Sequence, residues 1–236
     1  MFPEDLLNSP LFGLGLTVMV YAICEVIADR LDLTIISPFV LACPIVIAVI
    51  VLVPSVTYED YVRGAEFINF LLGPATIALA LPLYKNREII MEKAPAILGG
   101  VTLGSLVSIL VAYFCAKILG ASEQVVLSLI PKSVTTPIAI EISETIGGIP
   151  ALTTAAVIFT GMLGASMNHK LMDIFGFKND LAIGLAIGNS SHGLGTSVCA
   201  AVSPVQLAIG GVAIALSGIA TSILAPILLP LLEKIC

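Results

Sequence analysis

Long runs of apolar residues, separated by short polar stretches, dominate the pattern of this chain. The runs are about 20 residues long, which is the length that an α-helix needs to cross the hydrocarbon core of a bilayer. Eight of them occupy residues 9–28, 33–53, 65–83, 94–119, 122–146, 151–168, 181–203 and 207–232. No linker or low-complexity stretch divides them. The pattern predicts an all-α, polytopic membrane domain of about eight apolar segments that includes the whole chain, residues 1–236.

Composition and charge narrow the class of protein. Hydrophobic residues make up 58% of the chain and charged residues 11%, against about 25% charged residues in soluble domains. The acidic start of the chain lacks the basic region of a signal peptide. The five cysteines form no CxxC pair, and no HExxH, GxSxG or P-loop motif occurs. We therefore expect no enzyme, no metal, no cofactor and no nucleic-acid partner.

The basic residues constrain how the chain crosses the bilayer. The loop 84–94 is basic, and Lys170 and Lys178 follow the sixth segment. The positive-inside rule places both regions in the cytoplasm. Three plain crossings between them would put them on opposite sides, so one of these segments fails to cross. The fifth segment is the candidate, because Pro131 and Pro137 break its helix.

A weak internal repeat is also visible. The sequence GPAT at 73–76 matches GLGT at 193–196, about 120 residues later. This match predicts repeat halves 1–119 and 120–236, in opposite orientations as in many secondary transporters. By the same match, Thr76 is expected at a binding site.

The stretch PKSVTTP at 131–137 places polar side chains within an apolar segment. A lysine at membrane depth costs at least about 2.5 kcal/mol, and a broken helix offers backbone N–H groups to an anion. One interpretation is a substrate site formed by Lys132, Ser133, Thr135 and Thr136. The alternative is a kinked packing helix whose hydroxyls bond to the backbone while Lys132 extends to the interface.

The stretch GNSSHGLGTSVCA at 188–200 favours irregular backbone in the seventh segment. Such backbone is tolerated at this depth only inside protein or against a cavity. We therefore expect Asn189, Ser191, His192 and Thr196 to bind substrate, and His192 to be able to exchange a proton. Alternatively, the small residues allow close helix packing and His192 is a neutral structural group.

Polar residues near segment ends are harder to interpret. Asn168 and His169, beside Lys170, are expected to be a solvated cap. Several carboxylates either face the interface, pair with Lys132 or bind a coupling cation; these are Glu25, Asp29, Glu141 and Glu144.

Four motifs together resemble the LrgB/CidB family of antiholin-like proteins over the whole chain. They are PKSVTTPIA, FLLGPATIALALPLYKN, EISETIGGIPALT and SHGLGT. The C-terminal half of the plastidal glycolate/glycerate translocator is similar too. One departure is that Val198 or Cys199 stands where the family often has an arginine. If that arginine holds substrate elsewhere, this chain prefers another ligand.

The resemblance implies two functions. The first is a carrier of small monocarboxylates of the pyruvate, glycolate or glycerate class in the bacterial inner membrane, with proton coupling left open. The second is a regulator of murein hydrolase export that acts with a smaller LrgA/CidA-like membrane partner. A channel is a further alternative, and a homodimer is compatible with a carrier of this size.

Overall fold

The computed structural model describes residues 7, 9–31, 38–71, 74, 77, 80–85 and 87–234. Within this part of the chain every regular element is a helix, and no strand occurs. The contacts divide the chain into two compact units, Met1–Ala75 and Thr76–Cys236. Thr76, one of the predicted site residues, lies outside the described residues.

The first unit contains α1 (Pro10–Arg30), α2 (Pro38–Leu52) and α3 (Tyr58–Phe70). The backbones of α1 and α3 approach each other closely. A Cβ atom added at Gly13 on α1 would overlap the carbonyl oxygen of Tyr61 on α3. This unit contains no residue of the site described below.

The second unit begins with two short helices and continues with long ones. In chain order these are α4 (Ala80–Lys85), α5 (Arg87–Glu92), α6 (Ala94–Ile118), α7 (Glu123–Leu129), α8 (Thr136–Ile146), α9 (Pro150–Ile174), α10 (Asp180–Ser197), a 3₁₀ turn (Val198–Ala201) and α11 (Pro204–Leu232). Proline stands in the first turn of α8, α9 and α11. A backbone N–H at this position would have no hydrogen-bond partner within the helix, so its absence in proline costs nothing there.

Four helices among the described residues are long and apolar enough to cross a membrane. They are α1, α6, α9 and α11. The predicted all-helical, membrane-embedded class is supported, but the count of about eight segments is not confirmed.

The fifth apolar segment doubles back on itself, as the distribution of basic residues suggested. The backbone N–H of Ile149 donates to Oγ of Ser128 at 2.7 Å, although the residues are 21 positions apart. A straight helix would separate them by about 31 Å. The Thr153 hydroxyl adds bonds to the Ser128 carbonyl oxygen and to Ser143 Oγ at 2.9 and 2.7 Å. We call residues 123–149 the first hairpin; its tip is the break between α7 and α8.

The seventh apolar segment also doubles back, which the sequence analysis did not anticipate. The Ser203 hydroxyl donates to the Asp180 carboxylate at 2.7 Å across 23 positions, and Cys199 packs against Ile183 and Ile187. The chain reverses within α10 at His192, where the helix is interrupted by non-helical backbone; His192 is the one described non-glycine residue with a positive φ. We call residues 180–203 the second hairpin.

A hairpin followed by a long helix therefore occurs twice, over residues 123–174 and 180–232. His169 near the end of α9 bonds to Gln206 near the start of α11 at 3.0 Å, so the end of the first long helix lies beside the start of the second. This arrangement lies within the predicted second half of the chain. The predicted repeat of 1–119 on 120–236 stays a prediction.

Candidate substrate-binding site

Both hairpins contact the middle of α6, at neighbouring turns. The second hairpin contacts its N-terminal half, where Asn189 accepts a hydrogen bond from Ser105 at 3.1 Å and donates one to the carbonyl oxygen of Val101 at 3.3 Å. The first hairpin contacts its C-terminal half, where Ser108 donates to Ser133 at 2.9 Å. Because Ser105 and Ser108 are about one helical turn apart, the two hairpins meet there.

A cavity of about 820 Å³ opens beside this meeting point. Its walls come from α6, the tip of the first hairpin, α9 and the first limb of the second hairpin. Four of the predicted site residues line it: Lys132, Ser133, Asn189 and Ser191. The structure therefore brings together residues from both of the polar stretches that the sequence singled out.

Lys132 provides the only positive charge among the described lining residues of this cavity. Its ammonium donates to Oγ of Ser133 at 3.0 Å. The described lining contains no aspartate or glutamate, and within the described part of the chain Lys132 belongs to no ion pair. Among the described residues, no carboxylate therefore compensates the charge that Lys132 brings to this cavity.

Ser133 is buried, and its hydroxyl oxygen accepts two hydrogen bonds, from Ser108 and from Lys132. A hydroxyl has two acceptor lone pairs and one donor hydrogen, so the acceptor capacity of Ser133 is filled and its hydrogen remains to be donated. This geometry suits an anion, which accepts hydrogen bonds and donates none.

The opposite wall contains a residue that sequence reasoning misplaced. Asn168 was expected to be a solvated cap, but its Nδ2 donates to Ser191 at 3.0 Å and the residue lines the cavity. Ser105 and Ser108 were not singled out, because small polar residues in an apolar helix are also common in packing. One signal was available in the sequence: small residues recur every four positions on α6, at Gly100, Gly104 and Ser108. This spacing is typical of a helix face that neighbouring helices approach closely.

His192 lies at the reversal of the second hairpin and is not a lining residue of this cavity. Its backbone has φ 44° and ψ −144°, a region that is strained for any residue but glycine. The ring is buried, and its Nδ1 atom has no hydrogen-bond partner among the described residues. A Cβ atom at Gly161 would overlap its Cε1 atom, so a glycine on α9 makes room for the ring.

Other predicted residues lie apart from this cavity. Thr135 and Thr136 lie at the start of α8 and are not lining residues of this cavity. Thr196 lines a second cavity, and its hydroxyl donates to the carbonyl oxygen of His192 at 2.6 Å. Glu141 and Glu144 are exposed, and among the described ion pairs neither is joined to Lys132.

Comparison with known proteins identifies the family. The model of the LrgB-like family matches residues 17–231, nearly the whole chain. The chain belongs to the LrgB-like family. Both hairpins and every lining residue of the cavity lie within the matched LrgB-like region. No solved structure matches the chain at a significant level.

Proposed function

We propose that this LrgB-like protein carries small monocarboxylates across the membrane, with Lys132 as the residue that binds the carboxylate. The observation that carries the proposal is the uncompensated ammonium of Lys132 in a cavity between two broken hairpins. An ionisable group at membrane depth is costly unless it is paired or faces a water-filled cavity. An anion that enters the cavity supplies the missing charge.

The donors around Lys132 support a carboxylate as the ligand. Ser133 has a free hydroxyl hydrogen, and the Thr160 hydroxyl on α9 forms no hydrogen bond to the described residues. The side-chain amides of Asn168 and Asn189 each use one N–H in the bonds given above and keep a second one. One cation with several neutral donors matches a ligand with a single negative charge.

The cavity walls strengthen the attraction of Lys132 for an acid anion. Glycine, alanine, leucine and valine residues make up much of the lining, and an apolar surrounding strengthens attraction between unlike charges. Acids of the pyruvate, glycolate or glycerate class present one carboxylate and one or two further oxygens. Their oxygens match the hydroxyl and amide donors, so we assign these acids as the substrate class.

Proton coupling stays a prediction. The described lining of the cavity contains no histidine and no carboxylate, so the prediction rests on His192 alone. The inner-membrane location, the LrgA/CidA-like partner and the homodimer are likewise predictions.

Flux into proteoliposomes tests the proposal. Purified protein is expected to accumulate labelled pyruvate, glycolate or glycerate, and Lys132→Gln is expected to abolish this uptake. Lys117→Gln is the matched control, because Lys117 is also half-buried but lies over the ring of Tyr113 and lines neither cavity. Wild-type protein that moves none of the three acids, with or without a pH gradient, contradicts the proposal and favours the regulator of murein hydrolase export.

A further inference from the structure

A second cavity of about 510 Å³ lies in the same unit of the chain. It is lined by α4, by the returning limb of the second hairpin and by α11. Lys85 supplies its only charged side chain among the described lining residues, and Thr196 and Ser197 supply its hydroxyls. None of these residues lines the Lys132 cavity.

The second hairpin is a wall shared by the two cavities. Asn189, Ser190 and Ser191, which precede the reversal, line the Lys132 cavity. Gly193, Thr196 and Ser197, which follow the reversal, line the Lys85 cavity. The buried His192 stands between the two sets. A change of backbone conformation at this one residue would therefore alter the wall of both cavities.

Lys85 has no counter-charge from the acidic residues that follow it. Glu88 pairs with Arg87 at 3.9 Å, and Glu92 pairs with Lys93 at 2.7 Å. Among the described ion pairs, Lys85 is absent. The cavity thus repeats the charge pattern of the first one: a single lysine that joins none of the described ion pairs lies beside hydroxyls, glycine and apolar side chains.

We propose that the Lys85 cavity is a second binding station for the same small carboxylate and that the second hairpin is the partition between the stations. The inference rests on the proposed carrier function and adds a second position on the route of the substrate. The hydroxyls of Thr196 and Ser197 donate to backbone carbonyls at 2.6 and 2.7 Å, which leaves Lys85 as the donor to the anion. The exposed Lys85 binds more weakly than Lys132, because solvent screens its charge.

Two serines provide a matched pair of probes for the two cavities. Ser190 lines the Lys132 cavity, Ser197 lines the Lys85 cavity, and both are exposed. The experiment measures the rate at which maleimide labels Ser190→Cys or Ser197→Cys in the full-length protein, with the labelled position read by peptide mass spectrometry. Pyruvate is the probe, and pyruvamide, its neutral amide, is the control for charge.

Pyruvate, but not pyruvamide, is expected to slow labelling at both positions at least threefold. Lys85→Gln is expected to remove protection at position 197 and to leave protection at position 190 unchanged. Lys93→Gln, whose lysine pairs with Glu92 outside both cavities, should change neither. Protection at 190 alone, or protection at 197 that survives Lys85→Gln, overturns the second station but leaves the proposed function intact. Protection at neither position contradicts both.

Discussion

Gly104 provides a sharp test of the contact between α6 and the second hairpin. A Cβ atom at this position would overlap Nδ2 of Asn189. The Asn189 side chain is buried and holds the two hydrogen bonds to Ser105 and to the Val101 carbonyl oxygen. Gly104→Ala displaces this side chain, so both bonds are strained or lost.

The expected magnitude follows from those two bonds. Each contributes about 1 kcal/mol, and each buried group left without a partner costs about 1–3 kcal/mol. Relative to a glycine-to-alanine change on the same helix that makes no overlap, Gly104→Ala should therefore destabilise the protein by roughly 2–4 kcal/mol, which corresponds to a Tm lower by about 5–15 °C for a chain of this length.

Gly99→Ala is the matched control, because Gly99 lies on the same helix and a Cβ atom there meets nothing within 4 Å. Both variants gain the same helix propensity, about 1 kcal/mol, so the difference between them isolates the overlap. The assay is thermal unfolding in detergent, followed by carboxylate flux for both variants. If Gly104→Ala unfolds at the same temperature as Gly99→Ala and transports equally well, the close contact with Asn189 is refuted.

Three further predictions concern the hairpins. Thr153→Val should lower stability by about 2 kcal/mol because it removes two buried hydrogen bonds at the base of the first hairpin, whereas Thr154→Val, whose hydroxyl bonds within its own helix, should have little effect on Tm. His192→Gly should be more stable than His192→Ala by about 1–2 kcal/mol, the reverse of the ordinary helix order, because only glycine tolerates this φ without strain; equal Tm values would argue against a strained reversal. Hydrogen bonds from Gln206 and from Ser203 lower the pKa of Asp180 below its usual 3.8. Their stabilisation is therefore present above that usual value and is lost as the pH falls through the lowered one, so unfolding below pH 4 should be less steep in pH for Asp180→Asn than for wild type.

Several parts of the fold follow from the sequence on physical grounds. The apolar runs locate α1, α6, α9 and α11, because length and hydropathy suffice to identify a spanning helix. Pro131 and Pro137 predict the break in the first hairpin, because proline removes backbone hydrogen bonds. The lysine at position 132, inside an apolar segment, directed attention to a stretch that lines a cavity.

The reversal of the second hairpin could not be predicted in the same way. Hydropathy reports the depth of a residue and not the direction of the chain, and the glycines around His192 predict only irregular backbone. The bond between Asp180 and Ser203 is a tertiary contact that no local pattern encodes. For the same reason the sequence did not predict the positions of Thr196 and Asn168. The reversal places Thr196 at the other cavity, and the hydrogen-bond partner of Asn168, Ser191, is 23 positions away.

Direct binding measurements test the central claim, that Lys132 holds a carboxylate between the two hairpins. Calorimetric titration of the purified protein with pyruvate should show saturable binding. Lys132→Gln should weaken it roughly tenfold to a hundredfold, since a hydrogen bond to a charged group contributes about 1.5–3 kcal/mol, while Lys117→Gln should bind as wild type does. Equal affinity in Lys132→Gln and wild type would contradict the account.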